Sequence, residues 1–250
     1  MLAILSPARN VRPVRFPGVA PARPLFPAQT RRIVEALRQY SPMELESLLD
    51  VRPERALELF DGYRRFDDDS NATPALPSYH GAAFYNLNVP DFDAGDFAFA
   101  QARLRVLSAL YGLLRPADGI LPHRLGLRCG LEVGGKDLYA FWGDALYRAL
   151  FASGELVVSL ASMEYARLVD PYRAPRERMI TCRFLVQHAD GARGTVSTVR
   201  AARGQMARFL IKRRIDEPEG LKDFDWDGYR FIPGRSSPTE YVFIRQRKLF

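Results

Sequence analysis

Residues 104–144 read LRVLSALYGLLRPADGILPHRLGLRCGLEVGGKDLYAFWGD, and the fold turns on how this stretch is read. Leu104, Leu107, Leu110, Tyr111 and Leu114 recur at helical spacing, with Val106 and Leu113 on another side. Residues 104–114 therefore predict a central helix, buried on most faces. Arg115-Pro116 would end it, because the residue before a proline is pushed out of the helical region. Asp137 is placed to cap a second apolar helix over residues 138–150, which Gly154 would close. The intervening loop gathers Arg115, His123, Arg124, Arg128 and Lys136, a set of cations presented on a rigid frame. Its glycines lack the GxxxxGK[ST] spacing of a phosphate-cradling loop, which argues against an ATP site.

Outward from this block, residues 2–5 (LAIL) form a short apolar run stopped by Ser6-Pro7, the pattern of a buried central strand. Residues 156–160 repeat the pattern, and Ser162 follows as Ser6 does. If the two strands are parallel neighbours, both serines, with Arg9, Glu164 and Tyr165, face the crevice where open α/β sheets bind ligands. Helix capping explains Ser162 equally well, and a solvated turn explains Arg9. Residues 10–28, rich in proline and arginine, predict extended chain on the surface, followed by a short helix to about residue 37.

Ser41, Pro42 and Glu44 carry the signature of a capped helix start, and Asp50 to Pro53 turns the chain into a second helix ending near Phe60. The spacing resembles a helix-hairpin-helix element, which points the amides of its turn at DNA phosphates. Asp50 and Arg52 stand where glycines are usual there, so Arg52 and Arg55 would act by side chain; a plain helical hairpin packed on the core is the other reading. Residues 61–78, including Asp67, Asp68 and Asp69, predict an exposed connection. Asp93 or Asp96 is expected to cap the helix that enters the opening block. Residues 178–188 and 194–199 predict two antiparallel strands joined at Asp190-Gly191, and residues 200–215 a basic, acid-free helix carrying Arg203, Arg208 and Lys212. A hairpin over residues 229–232 and 241–245 ends the chain. The whole predicts a mixed α/β fold in one body, residues 1–250, with a central sheet surrounded by helices and the 41–60 element as an elaboration.

With 36 Lys and Arg against 29 Asp and Glu, the formal net charge is +7, which favours polyanionic partners. Three scattered histidines and two distant cysteines, Cys129 and Cys182, supply no metal-ligand spacing and no disulfide framework, so neither metal nor cofactor is expected. The first residues, MLAIL, lack a basic region before the apolar run, so no secretory leader is expected. No apolar run approaches the roughly 20 residues of a membrane helix. A cytoplasmic chain without a membrane partner is the expectation.

Several motifs occur together: Ser6-Pro7-Ala8-Arg9, the run Leu107 to Pro116, the run Gly135 to Asp144, Leu160-Ala161-Ser162 with Glu164-Tyr165, and Ala202-Arg203-Gly204. In this order they resemble the YaaA peroxide-stress family over essentially the whole chain. The resemblance implies a bacterial cytosolic protein of the hydrogen peroxide response, associated with lowering free intracellular iron and limiting DNA damage. It also implies a mixed α/β fold with a helix-hairpin-helix element and a positively charged DNA-binding cleft. The family pattern usually has lysine at Arg9, threonine at Asn10, lysine at His80 and paired lysines at Arg200 and Ala201. Lysine and arginine are not interchangeable at a chemical step, so Arg9 argues against an essential lysine nucleophile there.

Two function classes follow. In the first, the protein binds double-stranded DNA or another phosphate-bearing ligand through Arg9, Arg52, Arg55, Arg115, Arg124, Lys136, Arg203, Arg208 and Lys212. In the second, it is an enzyme acting on a nucleotide, nucleobase or DNA lesion, with Ser6, Arg9, Ser162, Glu164 and Tyr165 as candidate catalytic residues and Glu164 as general base. The sequence favours binding over catalysis and leaves the oligomeric state open.

Overall fold

A computed structural model describes residues 1–66, 71–188 and 191–245; the predicted acidic loop Asp67 to Asp69 and the turn residue Asp190 lie outside the described residues. At its centre is an eight-stranded sheet in the order Tyr229–Phe231, Glu240–Arg245, Met179–His188, Val157–Leu160, Leu2–Leu5, Leu104–Ser108, Gly112–Leu114, with Gly191–Arg193 pairing beside Met179–His188. The strands from Glu240–Arg245 to Leu104–Ser108 are parallel to one another. Leu2–Leu5 is buried throughout, as its continuous apolar run requires of a strand covered on both faces. The next strand of the sheet in sequence, Leu104–Ser108, lies on one side of it and Val157–Leu160 on the other. Strand order therefore reverses at Leu2–Leu5, which opens a crevice at its carboxyl end.

The opening stretch folds differently from its helical reading. Leu104–Ser108 is a strand, and Gly112–Leu114 returns antiparallel to it, with Val106 opposite Leu114 and Ser108 opposite Gly112. A short run apolar on every side carries no periodicity to separate buried strand from buried helix. Gly112 decides the outcome: its φ of +76° belongs to a tight turn, and the Tyr111 amide donates to Ser108 Oγ to close that turn. The preceding helix, Ala94–Arg103, begins at a reciprocal Asp93/Asp96 capping box and runs directly into the strand. The expected helix over residues 138–150 is two, Leu138–Trp142 and Ala145–Phe151, parted by Gly143 at φ +50°. Asp137 caps the first, accepting from the Ala140 amide.

Elsewhere some local signals hold with shifted boundaries and others fail. Ser41 and Glu44 form the capping box of Pro42–Leu49, and Pro53–Arg64 extends past the expected end at Phe60. Leu45, Leu49, Ala56, Leu59 and Tyr63 of this pair belong to the main core. The stretch after residue 70 is not an exposed connection: Thr73 and Ser78 are buried, sharing a hydroxyl contact of 2.9 Å. Residues 194–199 are not a strand. Thr195 caps the helix Val196–Lys212, and the partner of Met179–His188 is the shorter Gly191–Arg193. The expected final hairpin forms between Tyr229–Phe231 and Glu240–Arg245. No helix among the described residues is long and apolar enough to cross a membrane.

Candidate functional site

The parallel register places Leu5 opposite Leu160, so Ser6 and Ser162 leave neighbouring strands side by side. Ser6 Oγ accepts the Ser162 amide at 2.8 Å and donates to Ser162 Oγ at 3.2 Å. Ser162 stands at the start of the helix Met163–Ala166 but makes no side-chain cap bond, and its Oγ accepts from Ser6 instead. A third strand ends alike: Ser108 closes Leu104–Ser108, buried, facing the hydroxyl of buried Tyr79. Burial pushes the phenols of Tyr79 and Tyr165 well above the ordinary range, so both are neutral hydrogen-bond donors at physiological pH. Tyr165 also lies within electrostatic reach of Glu164, Tyr79, Tyr139 and Arg9, which draws the candidate catalytic set to one edge. Glu164 is half-buried, and its carbonyl accepts from Tyr139 Oη at 3.1 Å; Arg167 sits over the Tyr139 ring, 4.5 Å from its centre.

Arg9 is exposed and has no ion pair among the described residues. It lies within electrostatic reach of Arg124, which lines a cavity of about 480 Å³ with Asn10, Asp50, Val51, Arg52, Glu54, Arg55 and Glu58. This cavity is electrically mixed. Arg55 pairs with Glu58 at 2.5 Å, and Arg124 donates to the carbonyls of Leu49 and Asp50, tying the loop to the helical pair. Arg52 is exposed, without an ion pair among the described residues. The turn between the two helices has Asp50 at φ +50°, and the Asp50 and Val51 amides both turn back onto the Glu46 carbonyl. The turn therefore presents the Arg52 side chain rather than those two amides.

The remaining predicted cations divide. Arg115 does not join the serines: the antiparallel return of Gly112–Leu114 carries it back toward the amino edge of the sheet, level with Arg105. There it is held by Asp118, fully buried, and by the Arg23 carbonyl. Burial raises the Asp118 carboxyl pKa, against the opposing pull of Arg115. Arg208 is bound to Asp91, and Lys212 reaches Asp96 at 2.6 Å, while Arg214 takes the other Asp96 oxygen at 2.8 Å. Burial works to raise the Asp96 pKa, but Lys212, the Asp93 amide and Arg214 together hold it below the usual carboxylate range. Lys136 is exposed in the turn Gly134-Gly135-Lys136. Arg203 is partly buried beside Cys182 and Arg200. Among the described residues no group of three or more His, Cys, Asp and Glu could hold a metal ion.

Tyr79, Ser108 and Tyr139 were missed in the sequence. A signal for Ser108 existed, since LAILS, LRVLS and VVSLAS are three apolar runs each ending in serine. Reading the middle one as helix concealed it.

The fold and this edge define an α/β protein with hydroxyl and arginine groups at the carboxyl ends of its central parallel strands. The chain belongs to the family described as Peroxide stress protein YaaA, whose family model matches residues 1–234. Similar proteins include a UPF0246 protein of Lactiplantibacillus plantarum, 38% identical over 98% of this chain and 100% of its own length. Others are UPF0246 proteins of Acaryochloris marina, 37% identical over 98% of this chain and 100% of its own, and of Saccharophagus degradans, 36% identical over 99% and 100%.

Proposed function

We propose that this peroxide-stress protein binds double-stranded DNA in the bacterial cytoplasm, gripping the phosphate backbone along the surface from Arg9 to the Arg52 turn. The observation that carries this reading is Arg9, an exposed arginine without a carboxylate partner among the described residues, set between the hydroxyl edge of the sheet and the helical pair. Arg52, exposed and likewise without an ion pair among the described residues, extends the surface, and Lys136 is a further exposed cation of the same kind. Such contacts recognise charge and spacing rather than sequence. Lowering of free iron enters the proposal as an indirect consequence of the same response. Anisotropy of a labelled duplex at 50 and 200 mM salt tests it. With about three phosphate contacts, affinity should drop on the order of 40-fold across that range. Binding that is absent at the lower salt, or unchanged at the higher, defeats the proposal.

One observation favours a second reading, an enzyme acting on a nucleotide, nucleobase or DNA lesion. Ser162 Oγ accepts from Ser6 and donates to no partner among the described residues, and Glu164, a candidate general base, follows two residues later. Product formation from a lesion-bearing oligonucleotide, lost in Ser162→Ala with duplex affinity retained, would select it.

A further inference from the structure

The helix Val196–Lys212 is divided in its electrostatics. Its carboxyl half is neutralised: Arg208, Lys212 and the following Arg214 meet Asp91 and Asp96. Its amino half is not. Arg203 is partly buried, and its Nε has no hydrogen-bond partner among the described residues and no solvent contact. Among the described residues the helix packs on Leu2–Leu5, Val157–Leu160, Met179–His188 and Ala82–Leu87, none of which contains an aspartate or glutamate, and on Ala94–Arg103, whose Asp96 is taken by Lys212 and Arg214 at the carboxyl end. The charged neighbour is Arg200, one turn earlier, and burial followed by that like charge disfavours the Arg203 cation. Cys182 is no counter-ion, because burial pushes its thiol up to about 12. A guanidinium keeps its proton in proteins, so Arg203 is a partly desolvated cation without an anion, an arrangement that is strongly unfavourable unless something else supplies the charge.

The position of this cation links it to the serine edge. A Cβ on Gly81 would stand 3.0 Å from the Ala8 Cβ, and one on Gly204 would stand 1.9 Å from the Ala83 carbonyl oxygen. The segments Ser6-Pro7-Ala8-Arg9, Gly81-Ala82-Ala83 and Arg203-Gly204 are therefore in direct succession, with Arg203 one residue before the Gly204–Ala83 contact. We propose that Arg203 and Arg200 form an inner anion subsite of the crevice that takes a terminal phosphate, a phosphomonoester, rather than the internal phosphodiesters of a duplex. Two arginines match the nearly two negative charges of a phosphomonoester at pH 7, whereas a backbone phosphodiester carries one. A phosphate embedded in a duplex backbone is also too encumbered to approach a partly buried guanidinium. A terminal phosphate of this kind belongs to a nucleoside 5′-monophosphate or to the 5′-phosphorylated end of a DNA strand. The inference rests on the reading of this edge as a phosphate-binding surface.

Thermal unfolding of the full chain tests it, in phosphate-free buffer and with added inorganic phosphate or adenosine 5′-monophosphate. The wild-type protein should gain stability with either probe. Arg203→Met should be at least as stable as wild type without phosphate and should bind the nucleotide about 10- to 100-fold more weakly, the range of a lost charge-assisted hydrogen bond. Arg200→Gln, at an exposed position, should weaken nucleotide binding as well and decides the matter if Arg203→Met does not fold. No stabilisation of the wild type by either probe, or equal stabilisation of wild type and variants, overturns the inference. Matched duplexes with and without 5′-phosphates identify the source: preference for the phosphorylated ends assigns DNA ends, and nucleotide binding without that preference assigns a small molecule. Failure of the unphosphorylated duplex to bind at low salt defeats the backbone reading above while leaving the Arg203 measurement decisive by itself.

Discussion

His123 shows how one buried residue converts position into a pH response. Its ring meets the edges of Tyr79 and Tyr111, at centroid distances of 6.1 and 5.2 Å, and Nδ1 donates to the Leu121 carbonyl at 2.8 Å. Burial pushes its pKa down from the ordinary 6.5 to about 4, because the cation would have to form without water. The unfolded chain takes up this proton near pH 6.5 and the folded protein only near 4. Stability is therefore complete above about pH 6.5 and declines as pH falls toward 4, by roughly 3 kcal/mol once both states are protonated. Urea unfolding of wild type and His123→Phe between pH 7 and 4 checks this: the variant should lose less stability on acidification. An identical pH slope in the two proteins would assign the acid response to other groups. The sequence placed His123 in a cationic loop, whereas the structure makes it neutral and internal. Nothing in the residues beside it told that Tyr79 and Tyr111 would enclose it.

At the level of elements, the legible features were those set by local chemistry. The capping box at Ser41/Glu44 and a helix cap at Asp93 or Asp96 act within four residues, and the apolar run of Leu2–Leu5 suits a buried parallel strand. Leu104–Ser108 was not legible because strand and helix bury the same leucines, and the preference lay in a turn that Gly112 completes. The meeting of Ser6 and Ser162 was legible as a conditional, and the parallel register supplies the condition. What no local pattern could show was which carboxylates, remote in sequence, would meet the helix Val196–Lys212. Asp96, 3% exposed, serves both as a capping residue and as the acceptor for Lys212 and Arg214. Asp96→Asn should destabilise by about 2–3 kcal/mol, since it leaves two cations facing a neutral amide, and the loss is read in denaturant midpoints. Gly204→Ala should be as harmful by another route. Its methyl group would overlap the Ala83 carbonyl, so the two helices must separate, at about 1–3 kcal/mol. A Gly204→Ala protein as stable as wild type would mean that this helix contact yields freely.

For the molecule as a whole, a net charge of +7 says how much cation exceeds anion but not where it is free to act. The structure divides the cations that sequence assigned to one role. Arg115, Arg208 and Lys212 neutralise Asp118, Asp91 and Asp96 and hold the fold. Arg9 and Arg52 face solvent without ion pairs among the described residues. Each arginine that contacts a duplex phosphate releases about 0.9 of a counter-ion, so the slope of log affinity against log salt counts the contacts. Arg9→Ala combined with Arg52→Ala should make that slope shallower by about 2 with little change in melting temperature. Arg208→Gln combined with Lys212→Gln should do the reverse, lowering the melting temperature while leaving the slope within error. The two pairs remove the same formal charge, so a reduction of the slope by both would show that binding follows total charge, and the assignment of the Arg9 to Arg52 surface would fall. A difference between them would show that position, set by which carboxylates the fold brings to each cation, governs the interaction.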